Sequence, residues 1–136
     1  MSDLVRFGVS MDKSLLTEFD RLIEGKYANR SEAVRDLVRD KLVKHEWDKG
    51  EEVAGSLTLL YDHHHKGLTE KMLAIQHDNH DIFCSTLHQH LSHDTCLEVI
   101  IVRGRSDKVR DAADRLLGLK GVKHGKLSIS STGDLL

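Results

Sequence analysis

His88-Gln89-His90-Leu91-Ser92-His93-Asp94-Thr95-Cys96 is the stretch whose reading decides the fold. Its flanks read as two strands, Ile82 to Leu91 before it and Cys96 to Arg103 after it. Side chains alternate faces along a strand, so His88 and His90 point the same way. A hairpin turning across Ser92–Thr95 sets Cys96 opposite His90 on that face. Two imidazoles and one thiolate then converge on rigid backbone, as three ligands of a metal site that needs a fourth.

Outward from the hairpin, residues 53–136 read as a Val53–Tyr61 strand, a Lys66–Gln76 helix, the two hairpin strands, a Ser106–Leu119 helix and a Val122–Ser130 strand. This βαββαβ order is that of a ferredoxin-like domain, in which helices cover one face of the sheet. Leu87, Leu91, Leu97, Val99 and Ile101 are expected on the covered face. Cys84, Thr86, His88, His90, Cys96, Glu98, Ile100 and Val102 are expected on the other. That second face is too apolar for water, so the domain is expected to self-associate there.

The beginning of the chain is organised differently. Leu4 to Met11 alternates strictly and predicts one half-buried strand. A helix opened by Asp12 follows, with Leu15, Leu16, Phe19, Leu22 and Ile23 at helical spacing, and Gly25 ends it. A second helix is expected near Asn29-Arg30-Ser31, capped by Ser31, with Ala33, Val34, Leu37, Val38 and Leu42 as its apolar stripe. A lone strand leaves its edges unpaired, and the simplest partner is the same strand of a second chain. The polar run His45–Glu52 reads as a linker, dividing the chain into domains 1–48 and 53–136. Two self-associating domains in one chain favour a dimer of dimers.

The overall fold class is therefore α+β. In the ribbon-helix-helix pattern, paired strands of two chains enter the DNA major groove. Arg6, Gly8 and Ser10 then face base edges, and an arginine there can pair bidentately with guanine. The start of the second helix can hold a phosphate, with Arg30 and Arg35 adding ionic contacts. With 20 Lys+Arg against 22 Asp+Glu in 136 residues, any such binding rests on local basic surface, not net charge.

Ten histidines are present and only two cysteines. Imidazole with one thiolate suits Ni(II), Cu or Zn and is wrong for Mg or Ca. On composition and spacing alone, the fourth ligand is open among His63, His64, His65, His77, His80, His93 and His124. Glu98 shares the site's face and can orient a ligand. No segment reads as a signal peptide or membrane span, which predicts a cytoplasmic protein with reduced thiols; a Cys84–Cys96 disulfide is the competing account. A metal hydrolase would need an open coordination position and a general base, and Glu98 is the one obvious base. A metal store or chaperone without a DNA role, and a repressor sensing copper or zinc, are the other readings.

The chain resembles the nickel-responsive transcriptional regulators of the NikR family across nearly its whole length. The resemblance rests on the N-terminal pattern, on Ser31-Glu32-Ala33-Val34-Arg35-Asp36, and on Gln76-His77 followed by His88-x-His90 and Cys96. It implies a C-terminal ACT-type domain forming the core of a homotetramer, with two DNA-binding dimers on a palindromic operator. It implies Ni(II) in a planar site, with His88, His90 and Cys96 from one chain and His77 from another. It further implies repression of nickel uptake genes and a second, weaker cation site at Glu32 and Asp36. Two departures stand out. The family commonly carries threonine where this chain has Gly8 and Ser10, which implies a different operator. The run His63-His64-His65 is also richer in histidine than the matching segment, which leaves room for auxiliary metal binding.

Overall fold

The computed structural model describes residues 3–136, which divide into two compact units between Arg39 and Asp40. In the first unit, α1 (Lys13–Ile23) and α2 (which begins at Arg30) form where the spacing predicts helices. Asp12 occupies the N-cap position of α1, and Gly25 follows the helix with φ +76°, a conformation that favours glycine. The expected cap of α2 is corrected. Asn29, not Ser31, caps it: its Oδ1 accepts the backbone N–H of Glu32 at 2.9 Å. Ser31 lies inside the first turn.

The expected Leu4–Met11 strand is not formed within the chain, and residues 3–12 belong to no helix or strand. Leu4, Val5, Phe7, Val9 and Met11 are all exposed. A strand exists through its ladder partner, and a single chain offers this segment none. Leu15, Leu22, Leu37 and Val38 are exposed too, leaving Ile23 and Ala33 as the buried apolar residues of the unit.

The expected linker also shortens. α2 runs from Arg30 to Asp48, through the first half of the expected polar linker. Its last turns are built into the second unit. Trp47 is 2% exposed, donates from its indole N–H to the Ser130 carbonyl at 2.7 Å, and lies under the Arg110 guanidinium. The Trp47 carbonyl accepts from the Ser106 hydroxyl at 2.6 Å. One tryptophan can outweigh a polar neighbourhood because it buries so much apolar area.

The second unit continues with β1 (Glu52–Asp62), α3 (Leu68–Asp78), β2 (Phe83–His90), β3 (Thr95–Arg105), α4 (Ser106–Leu117) and β4 (Val122–Ile129). All pairings are antiparallel, in the order β2-β3-β1-β4, which is the ferredoxin-like arrangement. The core contains Val53, Leu57, Leu59 and Tyr61 from β1, Ile100 and Val102 from β3, Leu68 and Met72 from α3, and Val109, Ala112, Ala113 and Leu116 from α4.

This core reverses the expected faces of the sheet. Cys96, Glu98, Ile100 and Val102 are buried with the core, whereas Leu87, Leu91 and Ile101 are exposed. The cause is visible in β3, where apolar residues occupy both alternating sets from Leu97 to Val102. A strand apolar on both faces has no periodicity to orient it, and a shift of one residue exchanges the faces. The partner decides: Tyr61 lies opposite Cys96, and Leu57 opposite Ile100.

Candidate metal centre and DNA-facing residues

The hairpin forms as expected. β2 and β3 pair with His90 opposite Cys96 and His88 opposite Glu98. The turn is closed by N–H bonds from Leu91 and Ser92 to the Thr95 carbonyl, and by the Thr95 N–H to the Ser92 hydroxyl. Cys96 is fully buried, while His88 and His90 come from the exposed edge strand β2. Cys96 Sγ stands 2.9 Å from His88 Nε2 and 3.6 Å from His90 Nδ1. The two imidazoles are nearly parallel, with centroids 5.5 Å apart.

Each of the two sulfur–nitrogen separations suits neighbouring ligands of one ion. Among the described residues, however, the three whose ligand atoms all lie within 4.8 Å of one another are His63, His90 and Cys96, and His88 stands outside that group. With metal–nitrogen bonds of about 2.0–2.1 Å and metal–sulfur bonds of about 2.3 Å, neighbouring ligand atoms stand about 3 Å apart. Two imidazoles and a potential thiolate are also a donor set for a late divalent transition metal. Both cysteines are free thiols, Cys84 exposed and Cys96 buried, so the competing disulfide is not formed.

A supporting set of side chains lies behind the three. The Tyr61 hydroxyl donates to Glu98 Oε1 at 3.2 Å and is 2.9 Å from His88 Nε2. Gln76, on α3, donates to Glu98 Oε2 at 3.5 Å. Burial, then the adjacent Glu98 and Cys96, push the Tyr61 phenol well above its ordinary value, so it keeps its proton and remains a donor. Glu98 was legible as a member of this face. Tyr61 and Gln76 were not, because their contacts depend on strand register and on how α3 docks.

Of the seven histidines open as a fourth ligand, His63 is the one that joins a ligand group with His90 and Cys96 among the described residues. Its ring centroid is 4.8 Å from that of His90, and its Nδ1 is buried without a hydrogen-bond partner. Partial burial first, then the neighbouring His64 and His90, hold its pKa below the ordinary histidine value. His77 stands exposed in the last turn of α3, outside this group.

The other expected site residues lie in the first unit. Arg6, Gly8 and Ser10 fall in the exposed segment 3–12. The Arg30 guanidinium donates to both carboxylate oxygens of Asp20, at 2.9 and 2.8 Å, and this bond holds the Asp20 carboxyl below the usual carboxylate range. Arg35 pairs with Glu32, and the Tyr27 hydroxyl bonds to Asp36. The two carboxylates implied as a weaker cation site are thus engaged by an arginine and a tyrosine.

A family model described as the NikR C terminal nickel binding domain matches residues 54–130, and one described as ribbon-helix-helix protein, copG family, matches residues 5–44. A protein of Syntrophus aciditrophicus is 52% identical over 136 residues, covering 99% of each chain. One of Solibacter usitatus is 56% identical over 135 residues, covering 98% of this chain and 97% of its own. Both carry the provisional name nickel-responsive regulator. An uncharacterized protein of Thermotoga maritima has a similar fold, with a TM-score of 0.52 at 12% identity, covering 58% of this chain and 98% of its own.

Proposed function

The chain belongs to the NikR family of nickel-responsive regulators, and on that premise we propose that it is a DNA-binding repressor of nickel uptake genes, gated by Ni(II). The family is regulatory and not enzymatic, and its C-terminal domain binds nickel. The observation that carries the reading is the convergence of His88 Nε2 and His90 Nδ1 on the buried Cys96 Sγ.

In this reading His88, His90 and Cys96 hold the ion, and His77 of the partner subunit completes the set. The exposure of His77 at the end of α3 supports that role, since a side chain offered to another chain must leave its own. Thiolate binding requires Cys96 to release its proton to solvent, with His88 and His90 neutral at the nitrogens that face the ion. Tyr61 and Glu98 keep His88 turned toward the sulfur. The ion therefore rewards assembly, and assembly is what a palindromic operator measures.

Two association surfaces support a homotetramer. Leu4, Val5, Phe7, Val9 and Met11 need a partner strand, and the exposed Leu87 and Ile101 lie on the sheet face turned away from the core. Paired Leu4–Met11 strands present Arg6, Gly8 and Ser10 to base edges, and Arg35 to phosphate once Glu32 releases it. Among the described residues no helix is long and apolar enough to cross a membrane, and the proposed site of action is the cytoplasm, on operator DNA.

Nickel that binds the DNA-competent assembly more tightly must itself be bound more tightly when DNA is present. The test is operator binding by His90→Ala with and without Ni(II), beside Arg6→Ala. His90→Ala is expected to lose the nickel response, and Arg6→Ala to lose DNA affinity while keeping nickel. Tight, specific, nickel-dependent operator binding by His90→Ala would overturn the assignment.

A further inference from the structure

A second group of ligand-bearing side chains lies beside the first. It combines the turn after β1 with the β2–β3 hairpin loop. His64, His93 and Asp94 each offer a ligand atom, and these atoms all lie within 4.8 Å of one another. His64 Nε2 is 3.1 Å from the His93 carbonyl oxygen and 3.8 Å from Asp94 Oδ1, and the two imidazole centroids are 5.0 Å apart. Neither loop is slack. The His64 N–H donates to Asp62 Oδ1, the His65 N–H to the Asp62 carbonyl, and the hairpin turn carries the bonds described above.

We propose that His64, His93 and Asp94 form a second, solvent-exposed site for a divalent transition-metal ion. Two imidazoles and one carboxylate are donors for Ni(II) or Zn(II), and too nitrogen-rich for Mg(II) or Ca(II). Bonds of about 2 Å hold ligand atoms about 3–4 Å apart, so these groups need to close by at most about 2 Å. All three are exposed and can do so by side-chain rotation. The ion exchanges the His64–His93 carbonyl bond for a coordinate bond and leaves positions open to water. His63 adjoins both groups, with its ring centroid 4.1 Å from that of His64 and 4.8 Å from that of His90, and its buried Nδ1 lacks a partner. The side chains between the two groups are thus donors as well. Exposure and solvent competition make this site the weaker one.

The proposal rests on the nickel reading only for its probe. Equilibrium dialysis of untagged, full-length protein against Ni(II), with metal analysis and absorption spectra, tests both. The His64→Ala, His93→Ala double variant is expected to bind one ion per chain fewer than wild type while keeping the thiolate-to-metal absorption band. His90→Ala is expected to lose that band while keeping the ion that the double variant loses. Equal ion counts for wild type and the double variant would overturn the second site. Absence of the thiolate band in wild type would instead overturn the first site and leave the second standing if the count still falls in the double variant. Both substituted histidines are exposed, and circular dichroism confirms that the variants keep their fold.

Discussion

Tyr61 is 2% exposed, and its hydroxyl lies among Glu98, His88 and Cys96. It donates to the buried Glu98 carboxylate and touches His88 Nε2. Removing it leaves a buried carboxylate short of a donor, which costs about 1–3 kcal/mol. Tyr61→Phe is therefore expected to unfold at lower urea by that amount. If the hydroxyl also orients His88, nickel affinity falls about 10- to 100-fold, the range found when groups behind metal ligands are removed. A competition titration with a chelator checks this, and a purely structural hydroxyl would leave the affinity unchanged. The three candidate ligands themselves were readable along the chain, because spacing by two on a strand and pairing across a short turn are local matters. Tyr61 lies 35 residues from Cys96 in sequence, and only the β1–β3 register brings it opposite.

At the scale of elements, two residues make opposite demands on their strands and helices. Asn29 supplies the cap of α2, and Asn29→Ala is expected to cost about 1 kcal/mol of stability in thermal or urea unfolding. Ser31→Ala should cost less, since Ser31 lies inside the helix. Gly55, in β1, faces the opposite constraint. A Cβ there would stand 2.5 Å from the Ser128 carbonyl oxygen of β4 and 3.4 Å from the Trp47 ring. The first of these is backbone and cannot swing aside. Gly55→Ala is expected to destabilise the second unit by about 1–3 kcal/mol, the range for overpacking, read from the urea midpoint. Helix and strand positions were largely legible from hydrophobic spacing. The faces of β3 were not, because Leu97, Val99 and Ile101 are as apolar as Cys96, Ile100 and Val102.

For the whole molecule, the exposed apolar residues of the first unit point to a second chain. Phe7 is 75% exposed and Val9 67%, which a folded monomer would find hard to keep soluble. Phe7→Glu places a charge in the proposed strand pair. Operator binding is expected to disappear in a gel-shift assay, and sedimentation is expected to show a smaller assembly. The thiolate-to-nickel band should remain, because the candidate ligands lie in the second unit and the association surface proposed there does not include Phe7. Loss of the band together with DNA binding would mean that the two surfaces do not act separately.

The sequence by itself determined the two helices of the first unit, the order of elements in the second, and the hairpin that sets His88 and His90 opposite Glu98 and Cys96. Each depends on spacing along a covalent chain, which local periodicity reports directly. Tertiary structure alone decided which face of β3 is buried, that Trp47 draws the end of α2 into the second unit, and that Tyr61 and Gln76 stand behind the candidate ligands. It also separated the histidine-rich segment into His63 beside His90 and His64 beside His93. These outcomes depend on which apolar surface finds a better-fitting neighbour, a competition between distant segments that spacing along the chain does not record.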